Sequence, residues 1–165
     1  MRAILRTVLV CLCAALATLV FGQSSSAPQV SVKNLDTHID QFVAYDQQLT
    51  KMSKTVTPDD VKTVDVLSQV ASQTADHLMA IETMINMYNN IESKTDRDRT
   101  RPILLTYIKL NSAYTEKQVD RVTETSDQSK APAVTQIASK MKDEMHVSVL
   151  TLKTMAITIQ FETGK

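Results

Sequence analysis

Glycine is nearly absent from this chain. Only Gly22 and Gly164 occur in 165 residues, so the stretch from Gln23 to Thr163 has none. Sandwiches and barrels rely on glycine in their tight turns, and nucleotide-binding folds need a glycine-rich loop to cradle phosphate. Neither can be assembled here in its usual form. Antiparallel helices joined by short polar links need no glycine, and an all-α fold is the expectation.

The first residues belong to targeting rather than to the fold. Arg2 and Arg6 precede an apolar run that ends near Phe21, and Gly22 is a small residue ahead of the polar "QSSSAPQ". This pattern predicts a secretory signal peptide, residues 1–22, cleaved after Gly22. An uncleaved anchor is the competing reading, since a span needs ~20 apolar residues. The segment that follows lacks a positive cluster, which favours cleavage and no stable membrane span thereafter. Val10 and Leu12 are poor neighbours for an acylated Cys11 or Cys13. Both cysteines fall inside this segment, so the exported chain has no thiol for disulfides, catalysis or metal binding. A secreted or periplasmic protein is expected. Without Arg2 and Arg6, 16 basic side chains face 18 acidic ones. That balance gives no electrostatic footprint for nucleic acid.

Beyond a flexible leader, residues 23–33, breaks in the apolar pattern divide the chain into segments of about 34–54, 58–93, 100–128 and 131–162. Thr57, Pro58, Asp59 and Asp60 form the strongest helix start, with Thr57 as N-cap. "ESKTDRDRTRP" reads as a solvated loop, with Pro102 near a new helix start. Each segment carries a three-four apolar rhythm. The inner seams run through Val32, Leu35, Ile39, Phe42, Asp46 and Leu49; through Val64, Leu67, Ala71, Thr74, Leu78, Ile81, Ile85 and Tyr88; more weakly through Leu105, Ile108, Ser112, Thr115, Val119 and Val122; and through Val134, Ala138, Met141, Met145, Ser148, Leu152, Met155 and Ile159. The predicted domain, 34–162, is an antiparallel up-down-up-down four-helix bundle with coiled-coil-like packing. Three helices with a detached first segment is the competing arrangement. "HVSVLTLKTMAITIQFE" alternates like a strand toward its end, but no second strand could pair with it, so helix is expected there too.

Candidate chemistry is sparse. "DHLMAIETMINMYNNIE" (76–92) concentrates a histidine and three methionines, yet helical spacing disperses them. His77 and Met84 share one edge with Val70, while Met79 and Met87 point away. Copper(I) would suit such ligands only with help from another helix, such as His146 or Met145. A haem held by Met52 and His146 is a further arrangement; C-x-x-C-H is absent. No metal and no cofactor is expected, with His77, Met84 and His146 the residues to inspect. A di-iron bundle needs two Glu-x-x-His motifs, and only Asp143-x-x-His146 occurs. Asp36, His38 and Asp40 read as a solvated first turn. No nucleophile elbow or triad context is recognisable, so the protein is read as no enzyme. Asp46, on a seam, either pairs with a lysine or arginine across the bundle or yields its place to Tyr45.

The last segment is apolar twice over. Opposite its inner seam runs a second stripe of Val147, Leu150, Thr154, Ile157 and Phe161. Such a helix is either wrapped on both sides or presents a face for self-association or a protein partner. The chain is therefore expected to act through surface contacts, with Val147, Leu150, Ile157 and Phe161 as the contact face. The alternative is a carrier with copper, haem or an apolar small molecule in its core.

Overall fold

The computed structural model describes residues 29–161, all of them α-helix, turn or short connection. Four helices follow in order: α1, Lys33–Met52; α2, Pro58–Asn89; α3, Lys94–Ser126; α4, Pro132–Gln160. The predicted signal peptide and its cleavage site, the leader up to residue 28 and Glu162 lie outside the described residues.

Connections of a few residues force each helix to run back along its predecessor. α1 packs on α2, α2 on α3 and α3 on α4, and α4 closes the ring against α1, with only α2 and α4 meeting across the diagonal. This is the expected up-down-up-down bundle, and α1 is an integral member of it. Along α2 and α4 every predicted seam position is buried, from Val64 to Tyr88 and from Val134 to Ile159. The alternating stretch 146–160 is helical throughout. With no neighbouring strand among the described residues to take its amides, its backbone satisfies itself through the helix ladder.

Each break is built from particular side chains. Thr57 occupies the N-cap of α2, with extended backbone and Pro58 behind it. Its hydroxyl does not accept from the first-turn amides; it donates to Asp60 Oδ2 at 2.9 Å. At the other end of the bundle Asn89 grips the chain ahead of α1: Val30 N donates to Asn89 Oδ1 at 3.0 Å, and Asn89 Nδ2 donates to Val30 O at 2.9 Å. Val30 is buried, so the part of the leader that is described is held against the core.

Two expectations change, and the choice left open at Asp46 falls to Tyr45. The charged stretch 96–101 is no solvated loop: α3 already begins at Lys94, with Ser93 accepting from Asp96 N at 3.4 Å, and Pro102 sits inside the helix. Alternating charge suits a helix surface, where Arg101 meets Asp98 at 3.0 Å three residues apart. Arg97 is buried and caps α2, its Nε donating to Ile91 O at 2.8 Å and its guanidinium lying 5.1 Å from the centre of the Tyr88 ring. Tyr45 is buried on α1 and Asp46 is only half-buried, its carboxylate accepting from the Ser68 hydroxyl of α2 instead of pairing with a lysine or arginine. Secondly, part of the α3 seam shifts by one residue. Ile108, Ser112, Thr115 and Val122 are buried as expected, but Leu104 and Gln118 take the inner places of Leu105 and Val119, which are half-buried, and Asn111 turns inward beside Ser112. Most of these polar groups bond back to the preceding turn, as Ser112 Oγ does to Ile108 O at 2.9 Å and Thr115 Oγ1 to Asn111 O at 3.0 Å. That local bonding removes most of the cost of burying them.

Candidate functional site

The second stripe of α4 faces outward. Val147, Leu150, Ile157 and Phe161 are 52, 66, 57 and 71 % exposed. Thr154, between them, is exposed as well. The positions arise from one helical repeat: the inner residues Met145, Ser148, Leu152, Met155 and Ile159 are buried against the other helices, and the outward residues follow half a turn away. Among the described residues, nothing wraps α4 on its second side.

On either side of α4 the packing is polar. Toward α3, Lys153 Nζ donates to Glu116 Oε1 at 2.7 Å. Toward α1, buried His38 joins Glu144 through Nδ1 at 2.5 Å and Thr151 through Nε2 at 3.0 Å. His38 is therefore not part of a solvated first turn, although Asp36 and Asp40 beside it are exposed. Residues two apart on a helix diverge, and the middle one of the three points inward. With Glu144 ionised, Nδ1 donates to it, and Nε2 accepts the Thr151 hydroxyl proton when the ring is neutral. Acid, imidazole and hydroxyl thus stand in the order of a nucleophile relay. The surroundings do not suit that chemistry: His38 is 7 % exposed, and Thr151 sits mid-helix, where backbone amides are committed to the helix ladder and cannot hold an oxyanion. The arrangement is a clamp between α1 and α4. Tyr45, one heptad along α1, has its pKa raised by burial and by the nearby Glu144 and Asp143 carboxylates.

The histidine and methionine candidates are dispersed. His77 stands on the edge of α2 that faces α3, its ring 4.5 Å from that of Tyr114. Burial lowers its pKa, with Asp76 opposing, and its Nδ1 has no hydrogen-bond partner among the described residues. Tyr114 donates to Gln73 Oε1 at 3.2 Å, and burial raises its pKa. Met84 lies two turns further along the same edge, in a shallow apolar groove with Pro102, Ile103, Thr106, Tyr107 and Leu110 of α3. His146 is exposed on α4, across the diagonal from α2. Among the described residues no three His, Cys, Asp or Glu side chains are placed to hold a metal ion.

Two features went unread in the sequence. Asp60 is a junction: besides Thr57, it accepts from Ser129 Oγ at 2.6 Å and from Lys130 N at 3.1 Å, binding the start of α2 to the α3–α4 connection. These hydrogen bonds, Ser129 first, lower its pKa against the effect of burial. The other feature is the outer side of α3, where Ile103 and Leu110 are 52 and 64 % exposed. Their spacing of seven is visible in the sequence, but nothing local to α3 shows that the two side chains stay uncovered. Among the described residues no helix is long and apolar enough to cross a membrane. No protein-family model, curated protein or solved structure matches the chain.

Proposed function

We propose that this is a small exported helical-bundle protein that acts without catalysis, through surface contacts made by the outward face of α4. One observation carries the reading: four large apolar side chains, Val147, Leu150, Ile157 and Phe161, each more than half exposed, align on one face of one helix. Scattered exposed apolar residues need no explanation, but a contiguous stripe marks a surface that works when covered. The N-terminal sequence supports export, and the burial of the acid–imidazole–hydroxyl series at His38 speaks against catalysis there. A ligand carried in the core has less support, because the inward positions of α1, α2 and α4 are filled mainly by buried aliphatic and aromatic side chains.

The test is a photo-activated cross-linking residue placed at position 150 or 157 in the producing cell. A discrete covalent adduct is expected from these positions and none from position 116 on the flank. The double substitution Leu150→Lys/Ile157→Lys should abolish the native association while helical circular dichroism is kept. No adduct from either α4 position, or a double variant that associates as the wild type does, would overturn the reading.

A further inference from the structure

We infer that the outward face of α4 docks antiparallel onto the outer side of α3 of a second copy of this chain, so that copies join head to tail. This rests on the reading of α4 as a contact face and names its partner. The starting point is that two apolar features are left uncovered by the described residues. On α4 the exposed positions 143, 147, 150, 154, 157 and 161 step by four, three, four, three and four. On α3 the exposed positions 99, 103, 106, 110, 113 and 117 step in the same order. Run in opposite directions, the two sets align as the alternating a and d layers of an antiparallel coiled coil.

The side chains agree with that alignment. Ile157 falls opposite Ile103, and Leu150 opposite Leu110, so the two most exposed apolar residues of α3 meet their counterparts. Thr154 falls opposite Thr106 between them. At one end Asp143 meets Lys117, and at the other Phe161 meets Arg99, whose side chain is 77 % exposed. An opposite-charge pair and a cation over an aromatic ring close the seam.

Charge also decides against the other pairings. In parallel, with the same apolar residues aligned, Asp143 would face Asp96. Two copies of α3 pairing with each other would set Arg99 against Lys117. Two copies of α4 would leave Asp143 against Phe161, a carboxylate with no partner. Only α4 against α3 matches every layer. Within one chain these two faces point away from the shared α3–α4 interface, so a molecule that donates its α4 still offers its own α3. The contact is heterologous, and repetition extends it into chains or a ring.

Sedimentation velocity on the full protein, with variants on each side, tests this. The wild type should give a concentration-dependent series beyond the dimer. Leu150→Lys and Leu110→Lys should each collapse it to monomer. Mixed in equal amounts, these two variants should form a single complex of one copy of each, because one retains an intact α3 and the other an intact α4. Asp143→Lys and Lys117→Asp should each weaken assembly about fivefold, and the two together should restore it. A Leu110→Lys protein that still dimerises would overturn the inference in favour of α4 pairing with itself. A wild type that stays monomeric while position 150 cross-links to a different protein would also overturn it, and would leave the α4 contact face standing.

Discussion

Asp60 ties two distant parts of the chain together, since its carboxylate gathers Thr57, Ser129 and the Lys130 amide at one point. Its pKa is lowered in the folded chain, so the native state favours the carboxylate more than the unfolded chain does. The stabilisation is present above the unfolded value, about 3.9, and is lost as pH falls through the lower folded value. Asp60→Asn should therefore lower the melting temperature at pH 7, and the gap from wild type should close in acid. A gap that persists at the lowest pH would separate the effect from ionisation. His77 works in a different range. Burial lowers its pKa, so the fold prefers the neutral ring, and stability should decline as pH falls below about 6.5. His77→Gln should flatten that part of the pH–stability curve; an unchanged slope would show that another group sets it. Thr57 as a cap was legible because its neighbours Pro58, Asp59 and Asp60 form a local signal. The junction at Asp60 was not, because its partners lie some seventy residues away and no local rule connects them.

Among the elements, α1 and α4 meet without a loop between them, and His38 between Glu144 and Thr151 is the polar tie across that interface. His38→Ala strands the facing carboxylate and hydroxyl, and should cost ~1–3 kcal/mol in urea unfolding. Native-state hydrogen exchange should quicken in the first turns of α1 more than in α2. Uniform acceleration would show that the loss is global and that His38 has no special role at this seam. The seams of α2 and α4 could be read at once, because their inward residues are strongly apolar and periodic. α3 could not be read as well. Its inward face mixes Arg97, Asn111 and Gln118 with Leu104, Ile108 and Val122, and its outward face carries Ile103 and Leu110, so hydrophobicity places Ile108 and Val122 but puts Leu105 and Val119 where Leu104 and Gln118 lie. The side chains that bond back to their own turn make that polar inward face tolerable.

At the scale of the molecule, the fold class followed from missing glycine and from period, while the second apolar stripe of α4 could be located but not its exposure. Exposure depends on how three other helices are arranged around it, and the sequence of α4 does not contain that information. The same arrangement puts both described chain ends together, since α1 starts and α4 finishes at one end of an up-down-up-down bundle, and Asn89 pins Val30 there. This has a mechanical consequence. Tension applied between residues 29 and 161 pulls α1 away from α4 sideways, breaking contacts one at a time, whereas tension between residues 29 and 129 drags helices lengthwise past one another. Single-molecule pulling should find a lower rupture force for the first attachment than for the second, and equal forces would contradict this geometry. A bundle tethered by both of its ends opens like a zip, and the first teeth to part are those around His38.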